Sequence, residues 1–335
     1  MAEERVLLVE LAGQAGVSLA TVSKVLNGRP DVSATTRARV EALLDQAGYQ
    51  RRTGRTNPGG LLELVFPELE TAWAMEIIRG VENIARAGGM SVVLTESGDR
   101  HSPAADWIDG VLRRRPMGVV LVFSDLAEEA KAKLRSRAIP FVVVDPAGDP
   151  APDVPSVGSA NWSGGLAATR HLLELGHTRI AMITGRDDMM CSYARLDGFR
   201  SAMSAAGVAV DERLVRFGNF AVDGGRDVAL ELLALPDRPT AIFAGSDLQA
   251  LGVIEAARTL GLRVPTDLSI VGYDDLQLAQ WSSPALTTVH QPLLQMAEEA
   301  ARLVIRMAEQ PLPSTPRMDL ATHLVTREST APPAA

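Results

Sequence analysis

The sequence predicts an α/β protein with an N-terminal three-helix helix-turn-helix head and two doubly wound α/β lobes. Residues 7–28 read as two short helices around a tight turn. From residue 61 short apolar runs alternate with helical stretches, and the alternation restarts after Ser156-Val157-Gly158. At 335 residues the chain also exceeds a single ordinary core, so two or three domains are expected.

In the head, Val9, Leu11, Ala12 and Ala15 give a first helix one apolar face. Gly16 stands where the chain must turn with positive φ, which costs little only for glycine. Ser18 is placed to cap the second helix by accepting a hydrogen bond from a free N–H. Val22, Val25 and Leu26 follow at i, i+3 and i+4, so they pack back on the first helix. That leaves Leu19, Ala20, Thr21, Ser23 and Lys24 facing outward. Small, hydroxyl and basic side chains at a helix start suit a DNA major groove. Leu19, Ala20 and Lys24 are expected at base edges, and Thr21, Ser23 and Asn27 at phosphates. Lys24 can donate to guanine O6 and N7. A third helix has Ser33 and Thr35 as cap candidates. Val40, Leu43, Leu44 and Ala47 form its apolar stripe and Gly48 its end.

Residues 53–60 are rich in Gly, Pro, Thr and Asn, which break helix and strand, and read as a linker. Beyond it, strands are expected at 61–66, 91–95, 118–123 and 141–144, with helices at 74–87, 104–114 and 127–137. In the second series, helices are expected at 161–175, 193–206, 222–234 and 247–260, and strands at 179–183, 214–217, 241–244 and 268–273. This rhythm argues for parallel sheets covered on both faces. Ligands of such sheets bind beyond the carboxyl ends of the strands, so two facing lobes make a cleft there. Residues 310–316 read as a loop and 331–335 as a disordered end.

The net charge of −8 hides an asymmetry. Residues 1–56 hold eight Lys/Arg against six Asp/Glu, which makes them +2 and the remainder −10. Arg51, Arg52 and Arg55 concentrate the basic excess where a DNA backbone or minor groove would be met. The acidic remainder is expected to repel DNA and so help orient the head. The longest apolar runs, 117–123 and 139–144, are far too short to span a bilayer. The chain does not open with a basic stretch leading into an apolar one, so no export signal is expected. The single cysteine, Cys191, excludes an internal disulfide framework. These features point to the cytoplasm.

The string Ala15-Gly16-Val17-Ser18, then Thr21-Val22-Ser23-Lys24-Val25-Leu26-Asn27-Gly28, then Val32-Ser33, Thr36-Arg37, Val40 and Gly48-Tyr49, closely resembles the DNA-binding head of the lactose/galactose-repressor family. The body resembles the same family, whose core is similar to a periplasmic sugar-binding protein. The matching motifs are residues 175–180, 194–199, 271–275 and 284–289. The resemblance implies a head at 1–50, a hinge at 51–60 and an effector-binding, dimerising core at 61–330. It implies lobe 1 from 61–160 with 291–320, and lobe 2 from 161–290 with 321–330. One departure concerns the hinge. Relatives carry an Ala/Leu-rich hinge helix whose leucine wedges into the minor groove, but here the linker is about three residues shorter and no leucine occurs between Leu44 and Leu61. Arg51, Arg52 or Arg55 are the alternative for that groove.

Candidate ligand groups stand at the strand ends. Asp145 follows the strand at 141–144, Asp247 follows Ala244-Gly245-Ser246, Asp274 follows Val271-Gly272-Tyr273, and Arg195 opens a helix after Ser192-Tyr193. Carboxylates and a guanidinium bind neighbouring hydroxyls through charge-assisted hydrogen bonds. Taken alone, each Asp also suits a helix cap and Arg195 a salt bridge; the family pattern favours the ligand reading, with Asp275 structural. Trp73, Phe220 and Trp281 are aromatic candidates for the C–H face of a sugar or for a base, or else core filling. Ser124 and Ser246 leave more room than longer side chains would. His171, Glu174 and His177 fail as a metal set because His177 falls past the helix end. Cys191 lacks a base partner, so catalysis and cofactors are not expected.

The family resemblance then implies a homodimeric repressor of carbohydrate-utilisation genes. A neutral mono- or oligosaccharide would release it from a palindromic double-stranded DNA operator. The alternatives are a co-repressor-type regulator needing a ligand such as a purine, or a sugar-binding transport component. The absent export signal and the intact head argue against transport.

Overall fold

A computed structural model describes residues 11–26, 32–46, 60–69, 72–98, 106–122, 126–146, 148–310 and 312–334. Asn27, Arg51, Arg52, Arg55 and Ser124 lie outside the described residues.

Helical residues 11–15 (α1) precede α2 (Leu19–Leu26) and α3 (Ala34–Gln46). Gly16 takes φ +65° at the turn. Ser18 Oγ accepts the Thr21 N–H at 3.1 Å, and Ser33 Oγ accepts the Thr36 N–H at 3.2 Å. Both helices therefore start on a serine cap that satisfies an otherwise orphaned donor. Leu11, Ala12, Ala15, Val22, Val25 and Val40 form the small core of the head.

The body holds two six-stranded sheets. The first contains β1 (Leu61–Phe66), β2 (Ser91–Glu96), β3 (Gly118–Val122), β4 (Phe141–Val144), β5 (Ser156–Ser159) and β11 (Arg317–Leu320), in the order β11-β5-β4-β3-β1-β2. Its ladders are all parallel. Helices α4 (Ala72–Ala87), α5 (Asp106–Arg114) and α6 (Glu128–Ser136) connect them. The second sheet contains β6 (Ile180–Thr184), β7 (Val215–Phe217), β8 (Ala241–Ala244), β9 (Ser269–Asp274), β10 (Thr287–His290) and β12 (His323–Val325), in the order β12-β10-β9-β8-β6-β7. Only β12 runs antiparallel to its neighbour. Its helices are α7 (Asn161–Glu174), α8 (Met190–Ala205), α9 (Val222–Leu233), α10 (Asp247–Thr259) and the short α11 (Gln277–Trp281). Both sheets are doubly wound and reverse strand order between their first and third strands, β1/β3 and β6/β8, and such a switch point opens a crevice beyond the strand ends.

The chain passes between the sheets three times: from β5 to α7, from β10 to α12 (Leu293–Glu309), and from β11 to β12. Helix α12 packs its Leu293, Met296, Ala297, Ala300, Ala301, Leu303 and Val304 into the core beneath the first sheet. Leu276, just past β9 of the second sheet, is buried in that same core beside Trp73 and Phe66. The lobes are thus clasped by apolar contact as well as by three strands of chain.

The expected disordered end is corrected here. Ser329 Oγ donates to Ile270 O, Ile270 N donates to Ser329 O, and His177 Nε2 lies 2.8 Å from Ala331 O. Residues 326–334 run docked along the second lobe because its buried β9 and His177 need these backbone partners.

Candidate functional site

In the head, Ala20, Ser23 and Lys24 are exposed on α2, while Leu19 and Thr21 are half-buried. The face opposite Val22 and Val25 is therefore turned outward. Thr21 Oγ1 lies 2.9 Å from Ser18 Oγ, which fixes it at the helix start.

In the body the polar groups converge at the carboxyl ends of the strands. Arg195 in α8 is 3% exposed. Its Nε donates to Asn161 Oδ1 at 2.8 Å, Nη1 to Gly245 O at 2.6 Å, and Nη2 to Gln291 Oε1 at 3.0 Å. Asn161 and Gln291 lie at the first two crossings between the lobes, and Gly245 at the β6/β8 switch point, so one guanidinium ties these places together. The same group lies 3.7 Å from the centroid of the Tyr273 ring and 5.7 Å from that of Phe220. Three of its five N–H donors are spent, and the other two have no acceptor among the described residues.

Asp145 follows β4 and Asp274 ends β9, and both are buried. Desolvation pushes the Asp145 carboxyl up to about 6, opposed by the Arg195 charge and by the Asn161 and Gln291 amides. Desolvation also raises Asp274 well above the usual carboxylate range, with Arg195 again opposing and Asp247 and Asp145 adding to it. Both bear on Arg195 through space; among the described residues neither forms a direct ion pair with it. The site therefore sets one buried guanidinium beside two buried carboxyl groups whose affinity for a proton is raised by desolvation. Guanidinium and carboxyl groups together offer both donors and acceptors for hydrogen bonds.

Backbone geometry marks the same place. Asp145 (φ 47°), Phe220 (φ 64°), Asp274 (φ 113°) and Asp275 (φ 58°) sit in the left-handed region. Such residues cost roughly 1–3 kcal/mol each and persist where the surroundings over-determine them, often around ligands. Ser246 Oγ donates to Phe220 O at 3.0 Å and caps α10, so it positions the Phe220 loop. Met189 and Cys191 pack with Phe220 into a small apolar wall. Burial pushes the Cys191 thiol up to about 12, which keeps it un-ionised.

Some candidates stand elsewhere. The Asp247 carboxylate accepts from Leu276 N at 2.7 Å and from Thr288 Oγ1 at 2.5 Å, so it is committed to joining β10, α10 and the turn after β9. Its charge adds to the upward push on the Asp274 carboxyl. Trp73 is buried in the core of the first lobe, and Trp281 is 72% exposed. Asp275 is held by Arg327 at 2.5 Å and His290 at 3.0 Å. His177 binds Thr240, Ser269 and Ala331, and His171 binds Thr330, so both serve the docked tail. Asn161, Gln291 and Tyr273 belong to the site although sequence reasoning singled out none of them. Buried Ser159 Oγ, Ser192 Oγ, Gln249 Oε1 and Tyr273 OH have no hydrogen-bond partner among the described residues. Such orphaned atoms ask for water or a ligand.

A two-lobed receptor with a buried polar cleft, joined to a helix-turn-helix head, is a ligand-governed DNA-binding protein. Residues 8–52 match bacterial regulatory proteins of the lacI family, and residues 169–330 match a periplasmic binding protein-like domain. The transcriptional repressor CytR of Escherichia coli (strain K12) is 32% identical over 333 residues, 98% of this chain and 97% of that protein. PurR of Vibrio atlanticus (strain LGP32) is 31% identical over 301 residues, 88% and 90% of the two chains. Among solved structures, a complex of the regulator CelR with cellobiose has TM-score 0.72 at 34% identity, covering 96% of this chain and 99% of that one. The lac repressor dimer bound to operator has TM-score 0.72 at 25% identity, covering 97% and 98%. The chain belongs to the lacI family of bacterial regulatory proteins, and it is a DNA-binding transcriptional regulator that answers to a small-molecule effector.

Proposed function

We propose that this regulator is a homodimeric repressor of carbohydrate-utilisation genes, released from a palindromic operator when a neutral mono- or oligosaccharide fills the Arg195 cleft. The observation that carries the reading is the buried cluster of Arg195, Asp145 and Asp274 at the strand ends, with two guanidinium donors unspent. Support comes from CelR, solved with cellobiose, and from an Enterococcus faecium lacI-family regulator solved with ribose, 25% identical with TM-score 0.74. On this reading residues 1–50 are the head, 51–60 the hinge, and 61–330 the core, with the lobes divided near 160, 290 and 320. Leu19, Ala20 and Lys24 meet bases, Thr21, Ser23 and Asn27 meet phosphates, and Arg51, Arg52 and Arg55 meet backbone or minor groove. Phe220 packs on the ligand, while Asp247 and Trp73 support the cleft from behind. Closing on a sugar shifts the lobes only as far as the sugar's preference for one arrangement allows.

A second reading is favoured by the two aromatic rings beside Arg195. A planar purine held against Phe220 and hydrogen-bonded to Arg195 and Asp274 would act as a co-repressor. The test is calorimetry with ribose, glucose, galactose, cellobiose, adenine and hypoxanthine, read together with binding to a selected operator. A sugar that binds and releases DNA supports the first reading. A base that binds and tightens DNA binding replaces it with the second.

A further inference from the structure

The body is acidic overall, yet one edge of its first lobe is not. Met117 N donates to Leu61 O at 2.7 Å, Ser91 N to Gly60 O at 2.9 Å, and Val119 N to Pro140 O at 2.9 Å. These bonds gather the starts of β1, β2, β3 and β4 along a single edge, and Gly60, the last linker residue, enters there between Met90 and Met117. Helices α5 and α6 end on the same edge, because they run opposite to the parallel strands they connect. Their ends carry Arg113, Arg115 and Arg137; the first two are exposed and the third half-buried. Arg306 is exposed on the last turn of α12, whose Val304 packs on Gly118 at the start of β3. None of these four guanidiniums has a hydrogen-bond or ion-pair partner among the described residues. The basic side chains nearby are answered instead: Arg114 by Glu63, Lys131 by Glu128, Lys133 by Glu129 and Arg135 by Asp153.

A cation on the last turn of a helix also complements the helix dipole. That accounts for Arg113 and Arg306. It does not account for Arg115, which lies past the end of α5 with φ 50°. Unpaired positive charge at this edge, inside a body of net charge −10, stands where the chain that carries the DNA-reading head emerges. Only residues 47–59 separate that edge from the end of α3. Fully extended, such a segment spans at most roughly 3.3–3.6 Å per residue, so the duplex held by the head stays within reach.

We infer that Arg113, Arg115, Arg137 and Arg306 form a second DNA contact, in which the linker-side edge of lobe 1 meets the phosphate backbone of the duplex held by the head. The contact reads no bases. It adds sequence-independent affinity and offsets the repulsion expected from the acidic body.

The test compares two full-length variants with equal loss of charge. One replaces Arg113, Arg115 and Arg137 by Gln on the edge. The other replaces Arg200, Arg213 and Arg226 by Gln on lobe 2. Affinity for a selected operator and for a random duplex is measured across salt concentrations, with sequence preference and far-UV circular dichroism alongside. The edge variant is expected to flatten the plot of log K against log[salt] by about 0.9 for each phosphate it no longer neutralises, on both duplexes and with unchanged base preference. The lobe 2 variant keeps the wild-type slope. Arg115→Gln alone, made in case the triple variant misfolds, flattens the slope by about 0.9 per subunit. Equal flattening by the two triple variants would reduce the effect to net charge and overturn the inference, as would wild-type slopes in the edge variants.

Discussion

Asp145 and Asp274 are carboxyl groups buried in left-handed backbone, where neither burial nor backbone favours them. The cost of holding them there is measurable. With the Asp145 carboxyl raised from 3.8 to about 6, the folded state holds a proton that the unfolded state has lost. Stability attributable to this group is therefore highest below pH 4, falls as pH rises toward 6, and stays lower above it. At about 1.4 kcal/mol per tenfold change in proton affinity, the deficit near pH 7 is on the order of 3 kcal/mol. Asp145→Asn should accordingly melt at a higher temperature than wild type at pH 7, with the gap closing toward pH 4. A variant melting at or below wild type at pH 7 would contradict this. Strand-end chemistry made Asp145, Asp274, Arg195 and Phe220 readable from sequence. Asn161 and Gln291 were not readable, because their importance lies in a shared partner, Arg195, that is 34 and 96 residues away along the chain. Asp247 shows the opposite case: a carboxylate at a strand end whose bonding serves the fold.

At the scale of elements, small residues decide how closely the helices cross. A Cβ on Gly198 would fall on Trp162 O, and one on Gly252 would fall on Val222 O, so α7 meets α8 and α9 meets α10 backbone to backbone. In an open helix Gly→Ala gains roughly 1 kcal/mol of propensity. At Gly252 overpacking should win, with a net loss of roughly 1–3 kcal/mol. Urea denaturation of Gly252→Ala reads the sign directly, and a stabilised variant would contradict the close crossing. Most of the alternating strands and helices from 61 to 273 were legible because each carries its own period; the four-residue β5, with two serines and a glycine, shows none and was not expected. The chain after 290 was less so. Helix α12 carries a clear stripe at Leu293, Met296, Ala297, Ala300, Ala301 and Val304, yet alternation alone gives no reason to return a helix to the first lobe. Strands β11 and β12 and the docked tail have weak local signals; they are ordered by partners in β5, β10 and β9.

At the scale of the whole molecule, the homodimer proposed above needs a shared surface, and exposed apolar residues are candidates for it. Trp281 is 72% exposed and Met75 55%. Leu276, just before α11, and Leu278 within it belong to the same apolar core as Trp73 of α4. A homodimer burying this side would pair two heads for a palindrome. Trp281→Asp should shift sedimentation toward monomer and weaken operator binding, whereas an unchanged dimer would place the interface elsewhere.

The central claim is that the Arg195 cleft controls DNA binding without itself touching DNA. Asp145→Asn tests it most directly, because this variant is expected to be folded, more stable and intact in the head. Operator affinity is measured without effector and then during titration with the effector that calorimetry identifies, a releasing sugar on the proposed reading. Losing one buried charged hydrogen bond, about 1.5–3 kcal/mol, predicts unchanged operator affinity and a release midpoint raised roughly ten- to 150-fold. A response at the wild-type effector concentration would contradict the assignment of the cleft.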